Sequence, residues 1–111
     1  MKIPLSKAKS YDMKDFIARA YIDRKTGKNT FNALFVDCKK RHYKTRLKGA
    51  TRLYFVISGN GGFVINGKKS RANLHDLFVI RDGDIYEYSG KMKLIEVNVP
   101  ATGKSNEERL D

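Results

Sequence analysis

Tryptophan is absent from this chain, cysteine occurs once and proline twice among 111 residues. Each shortage closes off a class of explanation. A lone Cys38 can form neither an internal disulfide nor a thiolate zinc site by itself, which fits a reducing cytoplasm and argues against a disulfide-stapled secreted module. Its setting in "LFVDCKK" reads as a small strand residue and not as a reactive thiol. No apolar run approaches the roughly 20 residues of a membrane-spanning helix, and "MKIPLSKAKSYD" lacks the apolar core of a secretion signal. No repeat, low-complexity tract or linker interrupts the chain. With 41% hydrophobic and 32% charged residues, this is the composition of one globular domain.

Carboxylates are also scarce, and unevenly so. Residues 1–52 carry 15 Lys and Arg against four Asp, whereas residues 53–111 carry eight of each sign, so the whole excess of +11 lies in the first half. Such a field concentrates anions near the surface, or it is a scattered lysine coat that keeps the protein soluble. The density peaks in "RHYKTRLKGATR", where Arg41, Lys44, Arg46, Lys48 and Arg52 occur without one acidic neighbour.

What the chain does have is a succession of short apolar runs separated by turn residues. "FIARAYID" alternates as a strand but also carries a helical stripe of Met13, Phe16, Ile17, Ala20 and Tyr21, so periodicity alone leaves residues 11–22 open between the two. "TFNALFVD" is apolar on both parities, as a strand between two layers would be. "LYFVIS", "GNGG" and "FVIN" read as strand, turn and strand, and Asn66-Gly67 signals a hairpin. "DLFVI", "IYEY" and "MKLIEVNV" complete the series, with "RDGD" and "SGK" between them. Strands at this spacing predict an all-β, antiparallel sandwich or barrel. Pro100 ends the last strand, and "ATGKSNEERLD" is expected to fray or to form a short helix.

From Leu34 to Pro100 this arrangement resembles a small single-domain cupin, the double-stranded β-helix branch of the jelly rolls. The residues that carry the resemblance are "LYFVISGNGGFVING", Asp76 in "HDLFVI", "DGDIYEY" and "KLIEVNVP". Gly59 and Gly83 fall on the family's two glycines. The resemblance implies a jelly-roll β-barrel over residues 31–100, preceded by an N-terminal arm (1–30) and followed by a polar tail (101–111). The family's usual metal ligands are histidines and a glutamate, and the matching positions hold Arg46, Lys48, Arg52 and Tyr86. Guanidinium and ammonium groups have no lone pair to offer a cation. The expectation is therefore a cupin without metal or other cofactor.

Strand parity puts Arg52, Tyr54, Val56 and Ser58 on one face and Glu96 with Asn98 on one face of the last strand. Under the resemblance these faces line the barrel. The expected site is then Arg46, Lys48, Arg52, Tyr54, Tyr86 and Glu96, with Glu96 pairing Arg52. It would take a small anionic or sugar-like ligand, or be a dead pocket plugged by salt bridges. Binding is the first reading. The second is an enzyme resembling the family's metal-independent sugar-nucleotide epimerases, with His42 or His75 as base and Tyr86 or Tyr54 as acid, although neither histidine stands where the resemblance would put a base. The third is nucleic-acid binding by the basic half, with Tyr11, Tyr21, Phe31 and Tyr43 as stacking groups. Exposed sheet edges and the apolar parity of "FIARAYID" point to a homodimer packed through the first thirty residues.

Overall fold

A computed structural model describes residues 1–111. Eleven strands form two antiparallel sheets. In chain order they are β1 (Lys9–Asp12), β2 (Phe16–Ile22), β3 (Asn32–Cys38), β4 (Arg41–Leu47), β5 (Thr51–Gly59), β6 (Gly61–Ile65), β7 (Lys68–Ala72), β8 (Leu77–Ile80), β9 (Ile85–Ser89), β10 (Met92–Val99) and β11 (Glu107–Arg109). One sheet runs β1-β2-β3-β10-β5-β8 and the other β11-β4-β9-β6-β7. The expected all-β jelly roll is present, with one correction: the sheets face each other as a sandwich and do not close into a barrel. No helix is long and apolar enough to cross a membrane.

The ambiguity over residues 11–22 is settled by pairing. Phe16, Ala18 and Ala20 point inward from β2 and are buried, and the strand bonds along its length to β3. Here a tertiary partner decides between two patterns that the sequence carries equally. Asn66 and Gly67 both adopt positive φ (51° and 81°), which is the turn that lets β6 and β7 pair without splaying. At Gly59, φ is +76° and a Cβ would lie 2.2 Å from the Lys91 carbonyl oxygen, so only glycine fits there.

The core between the sheets is aromatic. Tyr54, Phe63, Tyr86 and Tyr88 are buried together with Val36, Val56 and Leu94. Cys38 lies in the same core, and burial with Asp37 nearby pushes its thiol up to about 11, so it is an inert packing residue.

The arm and the tail are integral to the sandwich. β1 and β2 extend the six-stranded sheet. The C-terminal residues are not frayed: after a 3₁₀ turn at Lys104–Asn106, β11 pairs with β4 (Glu107↔Leu47, Glu108↔Arg46, Arg109↔Thr45). This placement accounts for part of the basic run. Arg41 pairs with Asp111, and Arg46 Nε lies 3.2 Å from Glu108. Glu108 of β11 and Asp111 just beyond it thus meet two of the cations, while Lys44 and Lys48 have no carboxylate within ion-pair distance. Both of these pairs are substantially exposed, so each contributes about 1 kcal/mol at most.

Candidate functional site

Neighbouring strands β5 and β10 build the centre of the site. Their register sets Arg52 opposite Asn98 and Tyr54 opposite Glu96, all four side chains inward and buried. The guanidinium uses all three of its nitrogens. Nε donates to Asn98 Oδ1 (2.5 Å) and lies 3.4 Å from Glu96 Oε2. Nη1 donates to Tyr86 Oη (2.8 Å) and to Glu107 Oε1 (2.5 Å), and Nη2 to Thr102 Oγ1 (3.2 Å). Asn98 Nδ2 in turn donates to Glu96 Oε2 (2.8 Å). Burial opposes the charge on Arg52, but Glu96 first and Glu107 also outweigh it and hold the guanidinium protonated well above its ordinary value. One cation between two carboxylates leaves this cluster with a net negative charge.

His42 enters from the opposite sheet. Its ring is buried and stacked between Phe16 (centroids 4.8 Å apart) and Tyr88 (5.0 Å). Nδ1 lies 2.7 Å from the Tyr43 carbonyl oxygen. A carbonyl can only accept, so Nδ1 carries the proton and Nε2 keeps its lone pair. Burial lowers the pKa against the opposing pull of that carbonyl and of Glu107 and Glu96, so the ring is neutral at pH 7. Tyr43, half-buried beside Glu107, is pushed up to about 12 and stays a phenol.

Arg52 and Glu96 from the six-stranded sheet, His42, Tyr43 and Glu107 from the five-stranded sheet, and Thr102 from the connecting segment line a cavity of about 560 Å³ between the sheets. Phe16, Ala18, Ala20 and Leu34 of β2 and β3 form the apolar part of the same sheet face that carries Arg52 and Glu96. The space exists because two successive inward positions of β2 carry only a methyl group. Asn32 also lines the cavity. Its Nδ2 donates to the Thr102 carbonyl (3.1 Å), while its Oδ1 is buried with no partner.

Four of the six expected residues come together and two do not. Arg52 and Glu96 are on the cavity wall. Tyr54 and Tyr86 are beside them, with hydroxyls 2.8 Å apart, but do not line the cavity; Tyr86 accepts from the guanidinium and Tyr54 braces Tyr86. Burial raises both phenols, which keeps them protonated. Arg46 and Lys48 are on the outside. A register shift between His42 and Thr45 on β4 turns His42, Thr45 and Leu47 inward and Arg46 outward, and Lys48 lies beyond the strand end, exposed. The supposed cluster of interior cations is therefore a single cation, Arg52. His75 is exposed and stacks on Phe55 away from the cavity.

Sequence reasoning missed Glu107, Thr102 and Asn32, and it named His42 as a base only in its second reading. The acidic "EERLD" set against the basic β4 run was the available signal for Glu107. The donor set does not suit a divalent cation: no three His, Cys, Asp or Glu side chains are disposed to hold one, and the two carboxylates already grip a guanidinium.

No family model matches the chain, and no curated protein does. Solved structures do match. Pac13, a nucleoside dehydratase from Streptomyces, superposes with a TM-score of 0.87 at 18% identity over 99% of this chain and 90% of that one. Variants of that enzyme with a histidine changed to glutamine, or a tyrosine to phenylalanine, have been solved with uridine. Ectoine synthase from P. lautus matches with a TM-score of 0.82 at 14% identity over 100% and 90% of the two chains, and KdgF from Halomonas with 0.80 at 12% over 95% and 97%. These are cupin structures, and the chain has the cupin fold.

Proposed function

We propose, starting from the cupin fold of this chain, that its inter-sheet cavity binds a nucleoside- or sugar-type small molecule and that His42 accepts a proton from it. One observation carries this reading. The polar lining offers hydrogen-bond acceptors: His42 Nε2 and the Glu96 and Glu107 carboxylates. Such a lining calls for a ligand rich in hydroxyl donors, and its net negative charge disfavours an anionic group at that depth. The apolar surface of Phe16, Ala18, Ala20 and Leu34 alongside suits the face of a base or a sugar ring. The uridine bound by the Pac13 variants is a molecule of this kind.

A neutral imidazole with a fixed tautomer is a competent general base. On a ligand that carries a carbonyl, His42 Nε2 takes the proton from the adjacent carbon, and the enolate so formed either expels a β-hydroxyl, which leaves with a proton as water, or is reprotonated on its opposite face. The dehydratase reading is favoured by Pac13, and a metal-independent epimerase-type reaction would use the same base. Arg46 and Lys48 do not line this cavity, so neither is a ligand residue in this proposal.

Uridine is the probe. Calorimetric titration is expected to give saturable binding to the wild type and at least about tenfold weaker binding, roughly 1.4 kcal/mol, to Ala20→Leu, whose added carbons fill the cavity. Circular dichroism melting checks that the variant folds. No binding to the wild type, or equal binding to both proteins, sinks the proposal.

The homodimer belongs to the same proposal, with its interface moved. β1 is polar and exposed throughout, whereas Leu77, Phe55, Ile95 and Phe35 form a cross-strand row on the outer face of the six-stranded sheet, with Leu53 and Val97 alongside. Leu77 is 55% exposed and Phe55 37%. Covering this face with a second copy buries it. Light scattering at micromolar concentration should give twice the chain mass for the wild type and the single mass for Phe55→Lys. A monomeric wild type removes the idea.

A further inference from the structure

The polar lining explains the inside of the cavity but not its mouth, where the charge reverses. Arg24, Lys25 and Lys104 line the same cavity as His42 and Glu96, and none of the three has a carboxylate within ion-pair distance. The one acid among them, Asp23, is committed locally. Its Oδ1 accepts from the Thr26 amide (2.8 Å) and the Thr26 hydroxyl (3.0 Å), bonds that hold its carboxyl below the usual range. The mouth therefore carries a net positive charge above a net negative floor.

Arg24 is arranged to receive something. Its Nε donates to Asn29 Oδ1 (3.2 Å), which fixes the plane of the guanidinium and leaves both terminal nitrogens without a protein acceptor. Nη1 lies 3.3 Å from where a Cβ on residue 103 would stand, so glycine at that position leaves the guanidinium face uncrowded. Gly103 separates Thr102, which bonds Arg52 on the floor, from Lys104 at the rim. One short segment thus connects the two ends of the cavity. An anchored guanidinium with two free nitrogens matches a phosphate in the bidentate manner, and a lysine beside it adds a point charge.

We infer that the ligand carries a phosphate that docks on Arg24, Lys25 and Lys104 at the cavity mouth while its hydroxylated part meets His42 and Glu96 below, so that the site selects a nucleoside monophosphate over the free nucleoside. This rests on the cavity reading above. It adds a direction of entry, because the negative floor excludes the phosphate from the deep end. The excess positive charge of the first half of the chain would steer such a ligand inward.

The experiment compares uridine with uridine 5′-monophosphate by calorimetry at matched ionic strength, in wild type and in Arg24→Gln/Lys104→Gln. The monophosphate should bind the wild type at least about tenfold more tightly. That preference should weaken with added salt and collapse towards one in the double variant. Equal or weaker binding of the monophosphate by the wild type overturns the inference while leaving the cavity reading intact. A preference that survives in the double variant overturns it too, since the phosphate would then be held elsewhere. If neither compound binds the wild type, the cavity reading falls and this inference with it. Inorganic phosphate is the control and should not reproduce the preference, because it has no part to engage the floor. If it binds as tightly as the monophosphate, the mouth is a plain anion site and the coupling to the cavity is wrong.

Discussion

Replacing Arg52 with glutamine should destabilise the protein by roughly 3–5 kcal/mol, the usual consequence of removing one partner from a buried charge pair. The side chain of Arg52 is only 4% exposed and that of Glu96 only 10%. Glu96 would lose its cation in a setting that water barely reaches. Asn98 Oδ1, Tyr86 Oη and Thr102 Oγ1 would lose donors as well. For a chain of this size each kcal/mol moves the melting temperature by about 4–8 °C, so a fall on the order of 15 °C is expected in a thermal melt. Arg52→Lys keeps the charge but not the fork, and one ammonium cannot serve contacts that approach from several directions. It should lie between wild type and Arg52→Gln. Glu107→Gln should cost much less, because Glu107 is partly solvated. A loss below about 1 kcal/mol for Arg52→Gln would mean that the cluster behaves as a surface pair, contrary to its burial.

The second large effect is a dependence on pH. Buried His42 binds its proton more weakly than the same residue in the unfolded chain, whose ordinary value is 6.5. Below that value the unfolded chain takes up a proton that the native state refuses. The contribution is therefore complete above pH 6.5 and is lost as the pH falls towards the lowered native value. The slope reaches at most about 1.4 kcal/mol per pH unit. The groups facing the ring modulate this: Glu107 and Glu96 favour the imidazolium and Arg52 opposes it, but burial is the largest influence. Denaturant unfolding at pH 7.5, 6.5 and 5.5 should show stability falling in wild type and nearly flat over the same interval in His42→Gln. Parallel curves for the two proteins would show that His42 titrates alike in both states and is not the desolvated base described here.

The parts of this architecture that could be read from sequence are those whose signals are local. The Asn66-Gly67 hairpin, the strands that became β5, β8, β9 and β10, and the inward parity of Arg52, Tyr54, Glu96 and Asn98 all follow from alternation and turn chemistry. β4 was not legible, because its register shift breaks the alternation between His42 and Thr45. Counting back from Gly59 through the turn at Lys48–Ala50 therefore assigned Arg46 and Lys48 to the interior, one position out of phase with Thr45 and Leu47. In a strand, a slip of one residue exchanges inside for outside. β11 is three polar residues long and has no pattern of its own; it exists because β4 offers an edge and opposite charge. The pairing of Arg52 with Glu96 was legible from parity on two strands. Thr102 was not, and Glu107 had only the charge match of "EERLD" with β4 to mark it, because only the return of the chain after Pro100 brings them to Arg52. Closure was illegible as well, since alternation specifies two-faced strands but not whether their sheets join.

At stake is whether the cavity beside His42 is a ligand site or packing space. A crystal structure of the protein soaked with uridine tests it most directly. Density is expected for one uridine between the sheet face that carries Ala18, Ala20, Glu96 and Arg52 and the opposite wall of His42, Tyr43 and Glu107, with a hydroxyl within hydrogen-bonding distance of His42 Nε2. A cavity that stays empty at saturating uridine, or a uridine bound only on the outer face of a sheet, would contradict it.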